Sequence, residues 1–139
     1  MPRLAIRTGS KVEFQDITPR VQELVTLSGV ESGVCYIFVP HTTAAVTVNE
    51  HADPSVVRDV AQRLDYLVPQ RGDYCHLEGN APAHIKASLV GSSETLLIDG
   101  GRLLLGTWQG IFFCEFDGPR SRTVLIKIMP DRPGDKPLS

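Results

Sequence analysis

The chain carries only three cysteines and one tryptophan in 139 residues, and neither sign of charge dominates, with 14 Lys and Arg against 16 Asp and Glu. Cys35, Cys75 and Cys114 are odd in number and form no CxxC pair, which excludes a disulfide framework and a zinc ribbon. Reduced, partly buried thiols are expected, and these suit the cytoplasm. Without a long basic run there is no electrostatic footprint for nucleic acid. No stretch approaches the ~18 apolar residues of a membrane span, and Met1-Pro2-Arg3-Leu4-Ala5 does not open a secretory signal. P-loop, Rossmann and nucleophile-elbow motifs are missing, as are internal repeats and low-complexity segments. The expectation is a soluble cytoplasmic protein with no nucleic-acid or membrane partner.

A hydrophobic content of 42% over this length is enough for one core. One domain is expected over residues 1–130. From 131 to 139 Pro, Gly, Asp and Lys dominate without periodicity, and a flexible tail is expected. Leu4 to Thr8 and Val12 to Gln15 read as two strands of a hairpin about Gly9-Ser10. Thr18-Pro19 signals an N-cap and first turn, and Ser28-Gly29 a helix end. Val34 to Val39 and Thr43 to Val48 are β-rich runs separated by Pro40. Asp53-Pro54 opens the strongest helix, whose stripe of Val57, Val60, Ala61, Leu64 and Val68 is suited to covering a sheet. Asn80-Ala81-Pro82 opens a shorter helix ending at Gly91, with His84 and Ser88 one turn apart and Ile85 turned toward the core. Thr95 to Ile98, Leu103 to Leu105, Ile111 to Phe116 and Thr123 to Met129 complete the strands. Helices interspersed with antiparallel hairpins make the fold class α+β.

Three polar islands interrupt these apolar patterns. They are Pro40-His41-Thr42-Thr43, then His76 to Asn80 running on to His84, then Gly106-Thr107-Trp108-Gln109-Gly110 leading to Glu115 and Asp117. Imidazoles and carboxylates so far apart in sequence converge only through the fold, as a metal or acid/base site requires. A lone His41 is more often a hydrogen-bonded ring than a ligand. The spacing of His76 and His84 is unlike the i, i+4 pair of HExxH, so it points to a metal only if His41 and a carboxylate join them. Asn49 and Glu50 suit turn chemistry or a site equally; His51 and Asp53 suit turn and capping roles. Alternation along Gln109 to Asp117 puts Glu115 on a face with Ile111 and Phe113. That carboxylate must be paired with Arg120, Arg122 or Lys127, bind a metal, or have a raised pKa.

The segments His41-Thr42-Thr43-Ala44-Ala45, Asn49-Glu50-His51-Ala52-Asp53-Pro54, Pro82-Ala83-His84-Ile85-Lys86 and Gly106-Thr107-Trp108-Gln109-Gly110 stand in one order and spacing. Through them the chain, from about Phe14 to Met129, resembles the YjbQ-like family, also called the secondary thiamine-phosphate synthase enzyme family. The resemblance implies an α+β domain of antiparallel, sandwich-like sheets with two or three short helices. It also implies a homotrimer with sites near subunit boundaries. His41, His76 and His84 correspond to the family's histidines and would hold a divalent metal, zinc first, with magnesium or manganese as alternatives. Glu115, Gln109, Arg120 and His41 would be catalytic. Thr42, Thr43, Asn49, Glu50, Lys86, Trp108 and Arg122 would bind a small phosphorylated substrate. The implied reaction couples a pyrimidine methyl diphosphate to a thiazole phosphate, releasing diphosphate. Arg120, Arg122, Lys86 and the metal would steady the leaving group, while Trp108 and Phe113 would keep the pocket dry. The chain is too short for a (β/α)₈ barrel, so any such activity would use a different scaffold. A metal-dependent hydrolase of a small phosphorylated or acylated molecule, with Glu115 as base, and a trimeric ligand-binding protein without catalysis are the alternatives.

Overall fold

A computed structural model describes residues 1–75 and 79–134. Eight strands and three helices follow one another as β1 (Arg3–Arg7), β2 (Glu13–Asp16), α1 (Thr18–Ser28), β3 (Ser32–Phe38), β4 (Ala44–Glu50), α2 (Pro54–Leu67), α3 (Ala81–Val90), β5 (Ser93–Asp99), β6 (Arg102–Leu103), β7 (Gln109–Glu115) and β8 (Ser121–Pro130). All strand pairs are antiparallel, in one sheet of order β1-β8-β3-β5-β6 and a second of order β2-β7-β4.

The main core lies between the sheets. Alternation sends Cys35 and Ile37 of β3 and Val124 and Ile126 of β8 inward to meet Ile111 and Phe113 of β7 and Val46 of β4, with Val21 and Val25 of α1 joining them. The other face of the second sheet is also covered. Phe112, Cys114 and Phe116 pack there with Ala83 and Ala87 of α3, with Val57 and Leu64 of α2 partly buried against them. Both faces of β7 are therefore occupied, and no residue from Ile111 to Phe116 is more than 5% exposed. Cys35 and Cys114 are buried and Cys75 is exposed, and burial pushes the Cys35 thiol up to about 11.

Three sequence expectations change. β1 and β2 form no hairpin: β1 pairs with β8 and β2 with β7. The amides of Gly9 and Ser10 donate to Glu13 Oε1 at 2.6 and 2.8 Å and that of Thr8 to the Arg120 carbonyl at 3.0 Å, so the link passes from one sheet to the other. Thr18 is the first residue of α1, not its cap. Asp16 Oδ1 accepts its amide and hydroxyl at 2.9 and 2.5 Å. Ile85 is 39% exposed, while Lys86, on the buried face of α3, is only 4% exposed. Small Ala83 and Ala87 form the contact face, and the longer Ile85 is left outside it. Just beyond β8, Asp131 donates its amide to Ser32 O at 3.0 Å and accepts the Ser32 hydroxyl at 2.6 Å. Residues 135–139 lie outside the described residues.

At α2 the sequence signal holds. Asp53 caps the helix by accepting the Ser55 amide at 2.9 Å, a bond worth about 1 kcal/mol. The apolar stripe faces the second sheet, yet no α2 residue is fully buried.

Candidate functional site

The site is built outward from a buried ion pair. β7 ends in Glu115 and β8 begins at Ser121, so the turn between them brings Arg122 back onto the carboxylate. Arg122 donates from Nε to Glu115 Oε1 at 2.9 Å and from Nη2 to Oε2 at 2.5 Å, a two-point geometry that matches fork to carboxylate. The Thr8 hydroxyl and the Asp117 amide donate to the same carboxylate at 2.8 and 3.1 Å. Burial works to raise the Glu115 pKa, but the hydrogen bonds from Arg122, Thr8 and Asp117 outweigh it and hold the carboxyl below its ordinary value. Of the three fates open to this residue, pairing is realised. Glu115 has no exposed surface, and acting as a base would require breaking the network.

That network fixes the loop carrying His41. Arg122 Nη2 also donates to the Thr43 hydroxyl at 2.8 Å and to its carbonyl at 3.3 Å. The next residue of β8, Thr123, donates its amide to His41 Nε2 at 3.0 Å. Burial first, and the Arg122 guanidinium second, hold the His41 pKa below its ordinary value, so the ring is neutral near pH 7. With Nε2 accepting, the proton of the neutral ring sits on Nδ1.

His41 lines an open cleft of about 510 Å³ with Thr42, Ala44, His84, Ser88 and Ser92. His84, Ala87, Ser88 and Gly91 reach it because they recur at i, i+3, i+4 and i+7 along and just beyond α3. The structure thus unites His41, His84 and Thr42, with Thr43 and Arg122 beneath the loop. Arg120 lies nearby but is committed to Asp117, donating to its carbonyl and carboxylate at 2.9 Å each. His76 lies outside the described residues.

A metal ligand must offer a lone pair. Here the Nε2 lone pair of His41 takes the Thr123 amide and Nδ1 carries the proton, so this ring does not fit a zinc, magnesium or manganese ion. Among the described residues no group of three or more His, Cys, Asp or Glu side chains could hold one.

Other expected members lie elsewhere. Lys86 is buried in an ion pair with Asp65 and stands 5.9 Å from the Phe116 ring centroid, on a different surface from the His41 cleft. Phe113 is fully buried in the inter-sheet core. Gln109 and Glu115 occupy opposite ends of β7, about 20 Å apart at ~3.3 Å per strand residue. Gln109 closes its own turn by accepting the Gly106 amide at 2.8 Å, and Trp108 is 63% exposed beside it. Asn49 and Glu50 pair in register with Gly110 and Gln109 at this far end.

The far end holds an arrangement that residue spacing did not reveal. His51 donates from Nδ1 to Asp16 Oδ2 at 2.8 Å, and its amide donates to the Trp108 carbonyl at 2.9 Å. Burial works to raise the Asp16 pKa, but bonds from Thr18 and His51 bring it below its ordinary value, so the carboxylate is the acceptor. Gly110 was the available signal. A Cβ there would lie 2.3 Å from His51 Nδ1, the close approach a strand glycine permits.

A family model described as UPF0047 protein YjbQ-like matches residues 2–131. The chain is 52% identical over 127 residues to a UPF0047 protein of Methanocaldococcus jannaschii, an alignment covering 91% of this chain and 92% of that protein. It is 49% identical over 127 residues to the UPF0047 protein YugU of Bacillus subtilis, covering 91% and 96% of the two chains. Among solved structures it is similar to a YjbQ/UPF0047-family protein of Clostridium acetobutylicum, with TM-score 0.91, 52% identity and 93% and 100% coverage. A YbjQ-like protein of unknown function from Sulfolobus solfataricus superposes with TM-score 0.90 at 33% identity, covering 94% and 96%.

Proposed function

The chain belongs to the UPF0047 YjbQ-like family, and from that premise we propose that the His41 cleft binds a small phosphorylated molecule and promotes departure of its diphosphate. The observation that carries this reading is the lining itself. His41 and His84 line the cleft with Thr42, Ser88 and Ser92, and among the described residues no carboxylate does. Such a surface favours an anion, and His41 offers it an N–H set by the bond on the far side of the ring. A neutral imidazole gives a hydrogen bond, not a proton. Its contribution grows as charge develops on the leaving oxygen.

The reaction to test is the coupling that forms thiamine phosphate. The bond from the pyrimidine methylene carbon to the ester oxygen breaks, its electron pair leaves with diphosphate, and the thiazole nitrogen lone pair forms the new C–N bond. Calorimetry with diphosphate should show binding that His41→Ala weakens about tenfold, the loss expected for one hydrogen bond to a charged group. Unchanged affinity would remove the cleft from consideration. Mass spectrometry of the complete mixture then separates the readings. Thiamine phosphate above a protein-free control supports coupling, ester hydrolysis alone supports a hydrolase, and neither, with diphosphate still bound, supports a binding protein.

A homotrimer is the assembly we propose. Ile111 to Phe116 cannot supply its interface, because the chain buries that strand itself. Support comes instead from the outer face of the five-stranded sheet, where Tyr36, Phe38, Leu97 and Met129 are 43–47% exposed on adjacent strands. Light scattering should give three chains per particle, and Phe38→Asp should disperse them. A monomeric wild type at micromolar concentration would rule the assembly out, and a dimer would refute its stoichiometry.

A further inference from the structure

A second cavity, of about 220 Å³, lies where α2 stands off the sheet. Phe14 and Phe112, their ring centroids 6.5 Å apart, line it from β2 and β7, with Val57 and Val60 contributed by α2 and Leu89 by α3. A dry cavity of about 150 Å³ with such walls is enough to hold a benzene ring. Its polar lining comes from consecutive outward positions of β4, Thr47 and Asn49, and from Glu50. Glu50 is the one ionisable residue of the lining. Its Oε2 accepts the Asp53 amide at 2.7 Å, and among the described residues Oε1 has no hydrogen-bond partner. Among the described residues no cation lines the wall, so the cavity is opposite in character to the His41 cleft, which has bases and hydroxyls and, among those residues, no acid.

We propose that this cavity is a binding site for the single-ring, amine-bearing part of a small molecule, with the ring between Phe112 and the α2 valines and the cationic or donor group at Glu50. The size selects one ring, the walls select an apolar one, and the lone carboxylate selects against acids. The compartment is separate from the phosphate cleft, although the C-terminal turns of α3 contribute to both, Leu89 to this one and Ser88 to the other. The site does not depend on the phosphate reading. A diphosphate titration and an amine titration fail independently.

The test is methyl NMR on the intact chain, titrated in turn with benzylamine, benzyl alcohol and benzoate. Benzylamine should produce saturable shifts at the methyls of Val57, Val60 and Leu89. Glu50→Gln keeps an acceptor for the Asp53 amide and should weaken benzylamine about tenfold while changing benzyl alcohol less than twofold. Val60→Phe fills the cavity and should abolish both. Glu50, at the surface end of β4, keeps the test decisive if the Val60 variant folds poorly. Three results would overturn the proposal: no saturation by benzylamine at millimolar concentration, benzoate binding as tightly as benzylamine, or the same methyls shifting with protein concentration alone, which would mean that a second copy fills the groove.

Discussion

Arg122→Ala should lower the free energy of unfolding by about 3–5 kcal/mol, the usual cost of stranding one member of a buried ion pair. The guanidinium is 5% exposed and Glu115 is not exposed at all, so water cannot replace the lost partner. The Thr43 hydroxyl and carbonyl lose their donor in the same step. Urea unfolding measures the effect as a change of midpoint at constant slope. The pH dependence carries a second signature. In the wild type the folded-state pKa of Glu115 lies below its unfolded value, about 4.3. Its stabilisation is therefore present above that pH and is lost as pH falls through the folded value. In the variant the carboxylate is buried without a counter-charge, its pKa rises, and the deficit against wild type should narrow as pH falls from 7 toward 4. Replacing both residues, as in Glu115→Leu with Arg122→Met, should cost less than Arg122→Ala alone, because no charge is stranded. A loss below about 1 kcal/mol for the single change would mean that the pair is hydrated in solution.

Phe113→Ala should cost about 3–5 kcal/mol as well, for a different reason. The ring is fully buried between the sheets, and removing it leaves a void that a strand packed on both faces cannot collapse to fill. Thermal unfolding should reveal the loss. Diphosphate affinity, measured well below the new midpoint, should be unchanged. Had Phe113 formed a wall of the site, the reverse result would be expected, with affinity lost and stability nearly kept.

Those two residues also show where reading the sequence succeeds and where it stops. Alternation along β7 correctly separated Phe113 from Phe112, because the side-chain period of a strand is local. It also required a partner for Glu115, but left Arg120, Arg122 and Lys127 open, since register across strands depends on a turn whose geometry is not encoded by period. The capping signal at Asp53 and the stripe on α2 were legible for the same local reason. The pairing of β1 and β2 with different sheets was not, because Gly9-Ser10 suits both a hairpin and a crossing. Lys86, expected to steady a leaving group, is instead committed to Asp65, a residue on a different helix that no local pattern brings to it. The site was legible as a set of residue types. Its division into two ends was within reach of simple arithmetic, since six strand steps carry the chain from Gln109 to Glu115, about 20 Å at ~3.3 Å per step.

The place of β8 in its sheet has a consequence for the order in which the chain can become native. β8 lies between β1 and β3, so before it arrives β1 has no neighbour and β3 is paired only with β5. Arg122 and Thr123, which hold the His41 loop, come from the same late strand. During synthesis neither the larger sheet nor the His41 cleft can close until residues 121–130 have left the ribosome. Up to that moment the apolar inner faces of β1 and β3 lack the strand that joins them, and unpaired strand edges of that kind are what make a partly folded chain prone to aggregate.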